Sequence, residues 1–141
     1  STNVNTLDDY EEGTWTPVIG GAGGTSGQTY TTQDGQYVKI GKIVTAPFTV
    51  VLSAKGTITG NVQIQGLPFT IATGGNTVGG SSLDFDALAT NWVNVIFNVP
   101  NAGTVVAVTG NTAAAASNRT ALTTTDIGNT TALRGLIIYE A

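Results

Sequence analysis

The chain has 141 residues, nine of them acidic and five basic, for a net charge of −4, and it contains no cysteine, histidine or methionine. The missing Cys and His exclude disulfides, thiolate nucleophiles, the common zinc sites and the Ser-His or Cys-His catalytic pairs, and the scarcity of Lys and Arg leaves no electrostatic footprint for nucleic acid or anionic lipid. Only 10% of the residues are charged against about 25% in an ordinary globular protein, so Thr, Ser, Asn and Gln must cover the solvated faces, as on a secreted or virion surface protein or an oligomer that buries much of its surface.

A chain of this length buries about 70% of its unfolded surface, and a mean hydropathy of +0.15 argues against disorder. No apolar run approaches the ~18 residues that span a bilayer, so no membrane insertion is expected. With no initiator Met, Ser1 is read as an internal position of a longer polypeptide.

Residues 1–6 are polar and aperiodic and read as a linker from an upstream region, with one domain over 7–141. Asp8, Asp9, Glu11 and Glu12 then gather four of the nine acids within five positions. Such a run faces water as a solvated turn, or forms a cation site or a salt-bridged collar at a subunit boundary. Residues 14–19 alternate as a strand, Pro17 implying an edge or a bulge. Residues 20–27 are a glycine-rich loop without the Gly-Lys-Ser/Thr of a phosphate loop.

Residues 30–33 form a short strand, Asp34-Gly35 is the dipeptide of a two-residue hairpin, and 36–40 return. Gly41-Lys42 makes another tight turn, followed by a β-branched run over 43–52 that Ala46-Pro47 interrupts. Residues 57–65 alternate, with Ile58, Val62 and Ile64 on one parity and Gly60 at a bend. A flexible glycine-rich stretch over 74–80 precedes a strong strand at 92–99 and its hairpin partner at 104–108. Residues 111–122 are Ala-rich, but the Thr, Ser and Asn around the alanines weigh against a helix. Residues 124–128 suit one short helical turn with a Thr cap, and 133–139 are the last strand. About eight to ten short strands with regular turn signals predict an all-β, β-sandwich or jelly-roll-like antiparallel domain.

The candidate ligand contacts follow from this layout. Tyr10 and Tyr30 sit beside loops. Asn76 and Asn111 belong to segments 74–82 and 111–118, which with 20–28 supply adaptable hydrogen bonding from Gly, Asn, Ser and Thr. Asp84 and Asp86 share one strand face; they are ligand candidates and the only pair suggesting a glycosidase, although two carboxylates alone are a common accident and no enzyme is expected. Trp15 and Trp92 could stack on sugars but read as core. Lys39 and Lys42 flank a hairpin tip and solubilise an edge. No cofactor is expected, apart from a structural calcium ion that Asp8, Asp9, Glu11 and Glu12, or Asp84 with Asp86, could ligate without EF-hand spacing.

Several motifs occur in a telling order: Leu7-Asp8-Asp9-Tyr10-Glu11-Glu12-Gly13-Thr14-Trp15-Thr16-Pro17, Tyr30, Gly35-Gln36-Tyr37-Val38-Lys39-Ile40-Gly41-Lys42-Ile43-Val44, Gly66-Leu67-Pro68-Phe69 and Leu133-Arg134-Gly135-Leu136-Ile137-Ile138-Tyr139. This order resembles the C-terminal domains of tailed-bacteriophage tail fibres, tailspikes and related virion fibres, over most of the chain but not over 70–130. The resemblance implies a β-sandwich homotrimer on the virion, joined to an upstream fibre shaft and serving attachment to a host cell-surface polysaccharide or protein, trimer nucleation, or both. It implies no catalytic residues, and it makes the acidic opening and the Tyr37-to-Ile40 segment part of the scaffold. A trimer also has a physical ground, because a chain with so few charges has little else to protect its sheet edges. The alternatives are a trimerisation cap or a head-fibre or capsid decoration protein without its own receptor, and, further off, a glycosidase built on Asp84 and Asp86.

Overall fold

Period-two alternation of Val, Ile, Thr and aromatic residues makes nearly every apolar run an antiparallel strand with one buried face. The structure is a computed structural model that describes residues 9–74, 79–100 and 102–141; the expected linker 1–6, Asp8 and Asn76 lie outside the described residues. The strands are β1 Tyr10–Trp15, β2 Val18–Gly21, β3 Gly24–Ser26, β4 Thr29–Ile40, β5 Ile43–Ala54, β6 Thr57–Thr59, β7 Val62–Gln65, β8 Gly80–Leu88, β9 Asn94–Asn98, β10 Val105–Asn111, β11 Thr120–Ala121 and β12 Ile127–Glu140. A single 3-10 turn, Thr124–Asp126, precedes β12, and Thr123 caps it in a capping box with Asp126.

The main sheet has the order β1-β4-β5-β12-β8-β9-β10-β7-β2, with β11 on β10, while β3 and β6 form a separate pair. It curls into a half-barrel, consistent with a β-sandwich-like arrangement. Its two ends belong to almost contiguous chain: β1 and β2 are separated only by Thr16 and Pro17. One bent strand therefore starts on one end of the sheet and finishes on the other, a corner of the kind that joins packed sheets. The Gln33 amide from β4 holds the corner by donating to the Pro17 carbonyl at 2.9 Å.

The sheet turns at β8. Residues 84–86 pair with β12 alone, whereas Gly80 and Ser81 pair with both β12 and β9. Inside the curl, Val44, Val50 and Leu52 of β5, Leu133 and Ile137 of β12, Phe97 of β9, Val106 and Val108 of β10 and Ile64 of β7 are sealed from solvent. A file of rings crosses this core: Trp15 meets Phe48 edge-on at 5.7 Å between centroids, and Phe48 meets Phe97 at 5.1 Å.

Each end of that file lies on a glycine. A Cβ on Gly35, the register partner of Trp15, would stand 2.7 Å from the indole nitrogen, and one on Gly135 would stand 2.3 Å from Phe97 Cε2. This revises the hairpin expected at Asp34-Gly35. β4 runs straight through both residues, because Gly35 is needed as a floor for an aromatic ring and not as a turn. The break expected at Ala46-Pro47 is also absent, since β5 continues through it. The loop expected at 20–27 is mostly strand, with β2 packed so closely on β6 that a Cβ on Gly21 would stand 2.2 Å from the Thr59 carbonyl.

Two polar groups anchor the connections. The fully buried Tyr139 hydroxyl accepts from the Phe69 N–H and donates to the Phe69 carbonyl, both at 3.1 Å, so one side chain pairs with that residue's backbone as a strand would. Asp126 binds Thr90 Oγ1, Trp92 Nε1 at 3.3 Å, and the Thr123 N–H at 2.7 Å. Burial pushes the Asp126 carboxyl pKa up, but these hydrogen bonds together outweigh it and hold the group below its ordinary value.

Gly135→Ala is expected to cost about 1–3 kcal/mol by overpacking against Phe97, read by urea unfolding, whereas Gly41→Ala at the open β4–β5 turn meets no packed neighbour and should cost about 1–2 kcal/mol through its left-handed φ of 56° alone. Burial pushes the Tyr139 phenol up to about 12, the Phe69 N–H partly opposing it. Its folded-state pKa exceeds the unfolded one, so its contribution is complete below pH 10 and is lost as pH rises from about 10 to about 12. Unfolding measured against pH should show this alkaline loss, and Tyr139→Phe should abolish the step while costing about 1–3 kcal/mol at neutral pH by orphaning the Phe69 backbone.

Candidate functional site

The half-barrel has two outer faces of different chemistry. On β9, β10 and β7 the outward positions are amides and small residues. Asn94 pairs in register with Asn111, Ile96 with Thr109, Asn98 with Ala107, and Ala107 in turn with Gln63. The chain leaving β10 folds back over this face through a turn closed by the Ala116 N–H on the Ala113 carbonyl. Ile96, Asn111, Ala116, Ser117, Asn118 and Arg119 thereby enclose an open cleft of about 470 Å³. Asn111 is fixed at both ends: its backbone N–H donates to Asn94 Oδ1 at 2.9 Å, and its Nδ2 donates to the Asn118 carbonyl at 3.0 Å.

Arg119 gives the cleft its charge. Lys39, Lys42 and Arg134 pair with Asp9, Glu140 and Asp84, and Lys55 donates to the Thr124 and Ile127 carbonyls at 3.1 Å each. Among the described residues Arg119 has no acidic partner; it donates to Asn98 Oδ1 at 3.4 Å. An exposed guanidinium beside side-chain amides offers planar N–H pairs for a carboxylate or for vicinal hydroxyls.

The other face, on β1, β4, β5, β12 and β8, is a grid set by the ladder registers. One row runs Asp34, Thr49, Arg134, Asp84; the next runs Thr14, Gln36, Pro47, Leu136; then come Glu12, Val38, Thr45, Ile138, and finally Tyr10, Ile40, Ile43, Glu140. Tyr10, Ile40 and Ile43 are about half exposed. Two depressions open on the grid. One, of about 310 Å³, lies among Asp34, Gln36, Pro47, Leu83, Asp84 and Arg134. The other, of about 520 Å³, lies among Glu12, Thr14, Gln36, Val38, Thr45 and Pro47.

The candidate residues are thus scattered, and no single site unites them. Asn111 builds the amide cleft. Asp84 lies in the smaller depression, tied to Arg134. Asp86, two residues along the same face, turns its Oδ1 to the N–H of Ala87 at 2.8 Å, where Ala87 holds a positive φ of 54°. The two carboxylates are therefore engaged separately. Tyr10 is exposed at the sheet edge and donates to Glu12, which lines the larger depression. Tyr30 packs against the core, and its hydroxyl is buried beside the Ile19 backbone, so its side chain presents no polar atom to solvent. Of the acids offered for calcium, Asp9 pairs with Lys39 at 3.6 Å and Glu11 accepts from the Tyr37 hydroxyl at 2.7 Å. Among the described residues no group of three or more acids is placed to hold a metal ion.

Sequence reasoning passed over Arg119 and Gln36. Arg119 is the middle residue of Asn118-Arg119-Thr120, which has the pattern of a glycosylation sequon. The signal that could have raised it is arithmetic: one of only five bases, placed in a segment with no acid nearby in sequence. No protein-family model, no curated protein and no solved structure matches this chain.

Proposed function

We propose that this chain is a saccharide-binding surface module, the distal domain of a phage virion fibre that attaches to host cell-surface polysaccharide and assembles as a homotrimer on an upstream fibre shaft. The observation that carries the binding half is the Arg119 guanidinium, without an acidic partner among the described residues, in a cleft walled by Asn111, Ser117 and Asn118. Amides supply both donors and acceptors, which matches the hydroxyls of a sugar, and the cleft is built on a rigid β9–β10 pair with one loop over it. On a protein of net charge −4, the uncompensated base also selects where an acidic sugar could dock. The motif order of the opening and closing strands supports the fibre assignment.

The exposed Tyr10, Ile40 and Ile43 at one end of the other face favour a second reading, a trimerisation cap or decoration protein with no receptor of its own. Large apolar side chains grouped on a sheet face are covered when copies associate.

A glycan array probed with the 141-residue chain separates these readings. Binding to an acidic polysaccharide, weakened about tenfold or more by Arg119→Ala or Asn111→Ala, is the expected result; an array with no bound glycan sinks the receptor role. Sedimentation should give a particle of three 14.3-kDa chains, and Ile40→Ser with Ile43→Ser should shift it to one. A particle that is a single chain at all concentrations removes the trimer from either reading.

A further inference from the structure

Pro47 occupies a place proline normally cannot. β5 lies between β4 and β12, and a proline inside a sheet removes a ladder donor and is confined to edges or bulges. The β4–β5 register steps from Gly35↔Phe48 directly to Val38↔Thr45, so the Gln36–Pro47 and Tyr37–Ala46 pairs are missing. The Gln36 carbonyl opposite the proline takes its hydrogen bond from the Trp15 indole at 3.0 Å. The gap is thus satisfied from inside the barrel and left open on the outside.

The two depressions of the cross-strand grid meet at this gap, since Gln36 and Pro47 line both. Together they make one trough across β1, β4, β5, β12 and β8, four strand spacings or roughly 19 Å long. A bulge in β8 between the Asp84 and Ser82 pairs throws Leu83 out at its far end, 76% exposed. Along the trough the apolar Pro47, Val38 and Leu83 are interspersed with the polar Asp34, Gln36, Thr49 and Arg134. That is the pattern of a small-molecule site, an apolar floor with a few polar groups at fixed places.

We propose that this trough binds an extended neutral oligosaccharide, its C–H faces on Pro47 and Leu83 and its hydroxyls on Gln36, Asp34, Thr45 and Thr49. The charge pattern selects the class. Arg134 is neutralised by Asp84, leaving Glu12 and Asp34 as the trough's charges without a basic partner among the described residues, so carboxylate-bearing sugars are repelled. The trough therefore differs from the Arg119 cleft on the opposite half of the barrel, and the two would read different units of one host glycan. A rule-breaking proline in a central strand fits such a site, because local conflicts with the fold concentrate where function requires them.

This inference rests on the saccharide-binding reading above, and the experiment keeps the two apart. The 141-residue chain, labelled with nitrogen-15, is titrated with cellotriose, maltotriose and chitotriose, and separately with trigalacturonic acid. At least one neutral trisaccharide should shift the amides of Gln36, Thr45, Thr49 and Leu83 and leave residues 111–119 unmoved, while trigalacturonic acid does the reverse. Gln36→Ala and Leu83→Ser should each weaken the neutral sugar about tenfold. Pro47→Thr, which restores the missing donor, should raise Tm and abolish binding in the trough. Neutral sugars that bind only at 111–119, or fail to bind while the acidic one binds there, overturn the trough and spare the cleft. Unimpaired trough binding by Pro47→Thr also overturns it. If neither class of sugar binds anywhere, both readings fall.

Discussion

Three aromatic rings take positions that glycine leaves vacant, and the curl of the sheet depends on them. Trp15 lies over Gly35, Tyr37 over Gly13 and Phe97 over Gly135. The first two pairs are reciprocal, each strand giving one glycine and one ring, which fastens β1 to β4 by side chains as well as by backbone. The third is long-range: Phe97 belongs to the far half of the barrel and rests on the central strand of the near half. Rings stacked edge-on through Phe48 then connect the two halves. A chain with no disulfide and few ion pairs has placed its tertiary specificity in the shape of its core.

The same arrangement explains how Pro47 survives in a central strand. The Trp15 indole reaches Gln36 because its ring lies flat over Gly35, so the carbonyl that the proline cannot serve is still bonded. Core packing and surface opening are two sides of one substitution. The cost falls on the outer face, where a trough replaces a continuous ladder.

The outer surface divides its chemistry by strand. Amides and a lone guanidinium cover β9 and β10; apolar, acidic and uncharged polar residues, with Arg134 paired to Asp84, cover β1, β4, β5 and β12. Because β4 and β5 are long and joined by the tight Gly41 turn, the apolar face ends in exposed Ile40 and Ile43, flanked by the Lys42–Glu140 ion pair. The Arg119 cleft and the exposed Ile40 and Ile43 thus lie on separate faces of one small domain.

Much of the local structure was legible in the chain. The shared parity of Ile58, Val62 and Ile64 marked a buried face, the Gly41-Lys42 turn and the 3-10 turn at 124–126 stood where their residues placed them, and the lack of Cys and His excluded whole chemistries. These are short-range properties, carried by side-chain alternation and backbone preference. What the sequence could not decide were the positions where a distant residue overrides a local preference. Asp34-Gly35 became mid-strand because Trp15 needs its floor, Pro47 stayed in a ladder because an indole replaces its donor, and Arg119 met Asn98 and Asn111 only after β9 and β10 paired. Each outcome requires two segments far apart in sequence to be brought together, and only the folded packing brings them.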